Sequence, residues 1–209
     1  RGCELNAPLQ TLAAAVELDE RAAAQHAKNF PNTRHLQKDV SKLTGESLLS
    51  LASIGRAELC GLVGGPPCQG FSEIGLRGHG DLRNELLVHF FRLVAETRPA
   101  FFLAENVPGV AHERNKPVLN RALALVPSDY VLLAPMVVKA SDYGAPTIRT
   151  RVFFFGYDPA RVGTLDVADF VPKRADDVRV SRALDGLPTI RSDWQSEEQS
   201  WRSVGALAD

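Results

Sequence analysis

The chain has 209 residues, of which 44% are hydrophobic and 23% are charged, and its formal net charge is −1. This length and composition are typical of one globular domain with a substantial core and room for a small appendage. No apolar run reaches the roughly 18 residues that a membrane-spanning helix needs, and the near-neutral charge argues against a general polyanion binder.

Cysteine use indicates a reducing compartment. Cys3, Cys60 and Cys68 are an odd, sparse set without the spacing of metal ligands, and no secretory signal is visible. We therefore expect a cytoplasmic protein that has no metal site. Because the chain begins with Arg1 and its single methionine is Met136, we also expect a fragment or a chain that lacks its natural start.

Apolar segments alternate with segments rich in helix formers along most of the chain. In chain order, the pattern predicts a strand over residues 12–18, a helix over 21–30, a strand over 36–40, a helix over 41–51 and a strand over 58–63. It then predicts a loop over 70–81, a helix over 82–97, a strand over 100–104, a helix over 118–126, an extended segment over 130–138 and a strand over 151–157. Asp19 and Ser41 are the predicted N-caps of the first two helices.

Strands separated by helices predict an α/β fold with a mostly parallel sheet and helices on both faces. In such folds, ligands bind beyond the carboxyl ends of the strands. Two unusual motifs follow predicted strands, GGPPCQGFS at residues 64–72 and ENVPG at residues 105–109. We therefore expect the functional site at this edge of the sheet.

Cys68 and Glu105 are the candidate reactive residues of these two motifs. Cys68 stands between Pro67 and a glycine-rich loop, and its surroundings alone support a nucleophilic thiolate and an inert thiol equally. Cys60, within an apolar segment, is interpreted as an inert buried thiol. Glu105 follows the apolar run AFFLA, where burial favours the protonated carboxyl group of a general acid. Taken by itself, however, a structural hydrogen bond to a neighbouring turn is the favoured interpretation of Glu105.

Several segments together resemble the signature motifs of the DNA (cytosine-5)-methyltransferase family. GGPPCQGFS, ENVPG and DYGAPTIRTRVFFFG, at residues 142–156, stand in the order of that family, and DLRN at residues 81–84 with Leu86 resembles a fourth motif. AVELD and NFP, at residues 15–19 and 29–31, and KDV at residues 38–40 resemble its cofactor-binding segments. The resemblance covers most of residues 12–157 and implies the Rossmann-like fold of S-adenosylmethionine-dependent methyltransferases.

The resemblance implies covalent catalysis at a cytosine ring. Cys68 would add to C6 and so make C5 nucleophilic, while Glu105 would contact N3 and the exocyclic amine. Arg151 would hold the O2 carbonyl, and Arg149 would support the same pocket. The target base would be flipped out of the duplex, and the glycine-rich loop over residues 70–80 would close behind it.

The resemblance also implies S-adenosyl-L-methionine as the cofactor. Glu17 would accept hydrogen bonds from both ribose hydroxyls, and Asp39 would accept one from the adenine amine. The implied apolar walls of this site are Leu18, Val40, Pro67 and Leu86.

The chain departs from the family pattern in three places. The glycine-rich turn expected before Glu17 is missing, Thr147 replaces the usual glutamine, and the closing motifs are absent. We therefore expect residues 1–160 to be an N-terminally incomplete catalytic domain and residues 161–209 to be the start of a target-recognition region. We expect such a chain to be inactive on its own.

Double-stranded DNA is the implied partner, with no membrane partner and a monomeric state, in the manner of a bacterial restriction-modification enzyme. Two alternatives remain open at this stage. One is a tRNA cytosine-5 methyltransferase of the same fold, and the other is an inactive, truncated DNA-binding relative.

Overall fold

A computed structural model describes residues 12–67, 85–171 and 179–180. The helices are α1 (Glu20–Asn29), α2 (Gly45–Ala52), α3 (Glu85–Thr97), α4 (Lys116–Leu123) and α5 (Pro159–Val162). The strands are β1 (Ala14–Glu17), β2 (Arg34–Gln37), β3 (Gly61–Gly64), β4 (Phe101–Asn106), β5 (Val131–Leu132), β6 (Met136–Lys139) and β7 (Thr150–Tyr157). Cys68, the loop predicted over residues 70–81 and residues 181–188 lie outside the described ranges.

The strands form two sheets, and their pairing is mixed. β1 and β2 pair in parallel, with Glu17 opposite Gln37. The second sheet has the order β3-β4-β7-β5, and β6 also pairs with β7. β3 runs parallel to β4, whereas β7 runs antiparallel to both β4 and β5. The α/β class is confirmed, and the reversed direction of β7 makes this sheet more mixed than the expected, mostly parallel one.

The main core lies between the second sheet and two helices. Alternate residues of β4 are buried, and Phe102 and Ala104 pack with β7 side chains against α3 and α4. The helix predicted over residues 82–97 corresponds to α3, which buries an apolar stripe at Leu87, Phe90, Phe91 and Val94. The opposite face of the sheet carries an aromatic group in which Phe155 contacts Phe101, Tyr157 and Phe170.

Two local predictions about helix starts had different outcomes. Asp19 caps α1 as predicted, since its side chain accepts a hydrogen bond from the Ala22 amide. The predicted cap at Ser41 is wrong, because α2 begins at Gly45 with Thr44 as its N-cap. Ser41 instead donates its amide and hydroxyl hydrogens to the carboxylate of Asp39, which holds the chain in a turn at that point.

The chain divides into two compact units. The first comprises residues 1–138 and 150–171, and the second comprises residues 139–149 and 172–209. Among the described residues, no helix is both long and apolar enough to cross a membrane.

Candidate active site

Three strands of the second sheet bring the candidate catalytic segments to one edge. β3 and β4 are parallel, with Gly64 opposite Ala104, so both end at this edge. β7 is antiparallel to β4, with Val152 opposite Asn106, so it begins here. The register therefore places residues 65–67, 105–106 and 150–151 together, as the sequence predicted for the first two of these segments.

Glu105 and Arg151 form an ion pair at this edge. The distance between Glu105 Oε1 and Arg151 Nε is 2.6 Å, and the two side chains are 33% and 22% exposed. Arg151 Nη1 also donates to the carbonyl of Thr150 at 2.7 Å. A charge-assisted hydrogen bond between half-buried groups fixes the orientation of both side chains. The sequence predicted an apolar setting for Glu105, and the structure instead gives its carboxylate a cationic partner.

Gly65 leaves space for the Glu105 carboxylate. A Cβ atom at residue 65 would lie 3.3 Å from Glu105 Oε2, closer than most such contacts. The carboxylate therefore extends over the backbone that leads from β3 to Pro66, Pro67 and Cys68. Glu105, the candidate general acid, and the cationic Arg151 thus stand beside residues 65–67, which precede the candidate nucleophile.

Asn106 is a supporting residue that the sequence analysis did not identify. Its side chain is only 1% exposed, and Nδ2 donates to the carbonyl of Pro66 at 3.3 Å. Its Oδ1 accepts a hydrogen bond from the Val107 amide at 2.9 Å. Buried polar groups require such partners, so Asn106 connects the end of β4 to a residue two positions before Cys68. Its place directly after Glu105, inside the ENVPG motif, was the signal available in the sequence.

Of the other catalytic candidates, Cys68 lies outside the described residues and Arg149 belongs to the second compact unit. Within that unit, the carbonyl of Arg149 accepts a hydrogen bond from the Ala140 amide at 2.9 Å. The Arg149 amide lies 3.3 Å from the hydroxyl of Thr147, the residue that replaces glutamine. Cys60 is a half-buried free thiol, so it is less buried than predicted.

Of the candidate cofactor residues, Glu17 is the last residue of β1, and Asp39 follows the neighbouring strand β2. Because these strands are parallel, both carboxylates belong to the same edge of the smaller sheet. Glu17 is exposed, and its Oε1 accepts a hydrogen bond from the Asp19 amide at 2.9 Å. Leu18, also at this edge, is 63% exposed and offers an apolar surface.

Asp39 is oriented by local hydrogen bonds. Its Oδ1 accepts the Ser41 hydroxyl at 2.7 Å and the Ser41 amide at 2.9 Å. These bonds hold the pKa of Asp39 below its usual value, so the side chain is an acceptor at neutral pH. The second oxygen, Oδ2, lies 3.9 Å from Lys42 Nζ.

The side chains of Glu17 and Asp39 are hydrogen-bond acceptors at the ends of adjacent parallel strands. Acceptors of this kind suit the hydroxyl and amine hydrogens of a nucleoside. Val40 and Leu86 are half-buried and Pro67 is exposed, which is compatible with their predicted place in apolar walls. Among the residues that the structure describes, no group of three or more His, Cys, Asp or Glu side chains could hold a metal ion.

Comparison with known proteins identifies one family. The family model described as C-5 cytosine-specific DNA methylase matches residues 5–197. The Type II methyltransferase M.XorII of Xanthomonas oryzae pv. oryzae is 35% identical over 192 residues, which are 91% of this chain and 44% of that protein. M.AquIA of Picosynechococcus is 33% identical over 153 residues, which are 69% of this chain and 62% of that protein.

Solved structures agree with these relatives. An E. coli protein, described as a candidate DNA modification methyltransferase encoded within a prophage, is 48% identical, with a TM-score of 0.74. The match covers 85% of this chain and 49% of that one. The Dnmt2 methyltransferase of S. pombe is 20% identical with a TM-score of 0.59, which supports the fold alone. The chain thus spans about half the length of several of the proteins it matches.

Proposed function

Because the chain belongs to the C-5 cytosine-specific DNA methylase family, we propose that it methylates C5 of a cytosine flipped out of double-stranded DNA. The observation that carries this proposal is the Glu105–Arg151 ion pair at the strand edge from which the Cys68 segment leaves. S-adenosyl-L-methionine would supply the methyl group. Glu17, Leu18, Asp39, Val40, Pro67 and Leu86 are the residues proposed to hold it.

The chemistry begins with Cys68. The thiolate adds to C6 of the cytosine, and the displaced ring electrons move toward C5 and N3. When the base enters, the Glu105 carboxylate takes up a proton from water, and the resulting carboxyl group donates a hydrogen bond or proton at N3, which makes that movement easier. C5 would then be the carbon nucleophile that takes the methyl group, and the remainder of the methyl donor would leave as a neutral thioether. Transfer of the C5 proton to water, return of the N3 proton to Glu105 and breakage of the C6–S bond restore the aromatic ring and the free thiolate.

Arg151 serves this reaction in two ways. Its guanidinium orients the Glu105 carboxylate before a base enters, so less reorganisation is needed when charge develops on the ring. It also brings N–H donors to the edge of the pocket, where the O2 carbonyl of cytosine needs a partner. Arg149 is proposed to support the same pocket.

The proposed type of enzyme is based on the relatives of the chain. M.XorII and M.AquIA are both Type II methyltransferases, so we propose a bacterial restriction-modification enzyme that works in the cytoplasm as a monomer. We also propose that residues 1–160 form the catalytic part. Residues 161–209 would then begin the region that recognises the DNA target.

The decisive test is the trapping of the covalent adduct. DNA duplexes that contain 5-fluorocytosine should form a stable complex with the natural full-length protein, because fluorine at C5 cannot leave as a proton. Cys68→Ser should abolish the complex, whereas Cys60→Ser, which alters another thiol of the chain, should retain it. An adduct that survives Cys68→Ser would overturn the nucleophile, and an adduct only with tRNA would overturn the DNA substrate.

A further inference from the structure

Arg92 of α3 bonds to the segment that carries the candidate adenine ligand. This segment, residues 38–44, connects β2 to α2 and contains Asp39 and Val40. Arg92 Nη2 donates to the carbonyl of Val40 at 3.0 Å and to that of Leu43 at 2.8 Å. One guanidinium nitrogen therefore bonds to two carbonyls, one inside the turn that Ser41 forms with Asp39 and one directly after it.

Glu96 completes the arrangement one helical turn later. Its Oε1 accepts Arg92 Nη1 at 2.8 Å, and its Oε2 accepts the amide of Gly45, the first residue of α2, at 2.5 Å. A Cβ atom at residue 45 would lie 2.5 Å from Glu96 Cβ, so the close approach of α2 to α3 requires glycine here. The two side chains thus hold the connecting segment at its middle and at its end.

Most N–H groups of the Arg92 guanidinium have hydrogen-bond partners. Its Nε lies 3.3 Å from His89 Nδ1, so its contacts with His89, Glu96, Val40 and Leu43 engage four of its five N–H groups. The side chains of Arg92 and Glu96 are 26% and 36% exposed. Although desolvation opposes ionisation of Glu96, hydrogen bonds from Arg92 and Gly45 hold its pKa below its usual value. A lysine could not reproduce this planar set of donors.

We propose that Arg92 and Glu96 are positioning residues for the cofactor, which set where Asp39 and Val40 stand relative to Leu86. Leu86 lies six residues before Arg92 on the same helix, about 9 Å along its axis. The Ser41 turn orients the Asp39 carboxylate only within its own segment. The contacts of Arg92 and Glu96 fix that segment against the helix that carries the opposite apolar wall.

This inference rests on the proposed function, since it assigns the adenine side of the same site. Neither residue touches the reacting atoms, so loss of Arg92 should weaken cofactor binding and leave the chemical step intact. A purely structural role would instead reduce the amount of active enzyme without changing its KM.

The test measures the Kd for S-adenosylmethionine and the steady-state kinetics of the natural full-length protein and of its Arg92→Gln variant. We expect Kd and KM for the cofactor to rise roughly tenfold, since losing part of a positioned site commonly changes affinity by about that factor. The kcat at saturating cofactor should stay within about twofold. Arg92→Lys should restore part of the affinity. Arg98→Gln is the matched control, because Arg98 follows the end of the same helix and pairs with Asp129, away from the segment 38–44.

Hydrogen exchange supplies a second measurement that does not depend on activity. In the 209-residue chain, Arg92→Gln should speed exchange in residues 39–45, and Arg98→Gln should not. If the wild-type protein binds S-adenosylmethionine and Arg92→Gln binds it equally well, the positioning role is overturned while the proposed function stands. A wild-type protein that binds none overturns both. Unchanged exchange in residues 39–45 would show that the contacts do not hold the segment.

Discussion

The buried amide of Asn106 affects both the stability of the sheet and the geometry of the edge that carries the candidate active site. Asn106→Ala removes two hydrogen bonds, one to the carbonyl of Pro66 and one from the amide of Val107. It leaves both main-chain groups without these partners at a position that is only 1% exposed. We expect this change to loosen the segment before Cys68 as well as to destabilise the fold.

The magnitude follows from the two contacts. A buried group that loses its partner costs about 1–3 kcal/mol. The bond to Pro66 is long, at 3.3 Å, and belongs at the lower end of that range, whereas the 2.9 Å bond from Val107 is of ordinary length. Their sum is about 2–4 kcal/mol of unfolding free energy. In a chain of this size, each kcal/mol lowers Tm by about 2–4 °C.

Asn115 offers a matched control. Its side chain is 7% exposed, and its Nδ2 donates to the carbonyl of Gly109 at 2.7 Å rather than to a carbonyl of residues 65–67. Urea unfolding should show a loss of stability in both Asn106→Ala and Asn115→Ala. At a temperature where both variants are folded, only Asn106→Ala should slow adduct formation with 5-fluorocytosine DNA. Equal rates in the two variants, or a stability loss below about 0.5 kcal/mol for Asn106→Ala, would refute the reasoning.

Three further predictions concern charged side chains. Glu105→Gln should lower methyl transfer roughly 10²-fold with little change in cofactor affinity, because it removes the acid but keeps the shape, and an unchanged turnover would exclude that role. Arg151→Lys keeps the charge but loses the Nε–H that binds Glu105. The single-turnover rate of methyl transfer should therefore fall by about tenfold or more. A rate equal to wild type would show that the ion pair is dispensable. The hydrogen bond from Arg98 holds the pKa of Asp129 below its usual value, so the stabilisation from this ion pair is present above the pKa of the unfolded chain and is lost as pH falls through the pKa of the folded protein. The difference in unfolding free energy between wild type and Asp129→Asn should therefore shrink between about pH 5 and pH 2. A difference that does not depend on pH would contradict this role.

The sequence predicted the elements well where apolar periodicity was strong. The stripe on α3 and the β7 run RVFFFGY were recognisable because burial repeats every three to four residues in a helix and fills both faces of an inner strand. The start of α2 was missed because both Ser41 and Thr44 are good N-caps. Only the structure shows that the hydrogen-bonding groups of Ser41 are already engaged by Asp39.

The sequence motifs named the candidate site residues but not the contacts between them. The motif ENVPG identified Glu105, yet the register that places Arg151 beside it depends on the antiparallel pairing of β7 with β4. Pairing direction is set by long-range packing and leaves no local signature in either strand. Arg92 was missed for the same reason, since its partners lie 49 and 52 residues earlier in the chain.

Alanine substitutions at Gly64 and Gly65 should have different effects, because Gly64 faces the main core and Gly65 faces Glu105 at the candidate active site. A Cβ atom at residue 64 would lie 2.8 Å from the ring of Phe90, which is 7% exposed and packs in the main core. Gly64→Ala should therefore displace that ring and cost about 1–3 kcal/mol of unfolding free energy, the usual penalty of overpacking.

A Cβ atom at residue 65 meets instead the Glu105 carboxylate at 3.3 Å, a contact that a shift of a few tenths of an ångström relieves. Because Gly65 is exposed and does not have a positive φ, alanine there should leave stability unchanged or slightly higher. The displaced carboxylate should nevertheless slow methyl transfer, since small misplacements of a catalytic group are costly. Urea unfolding and single-turnover rates measured on both variants would show a stability loss in the first and a rate loss at full stability in the second. The opposite assignment of the two effects would mean that Glu105 does not act from the position it occupies beside β3.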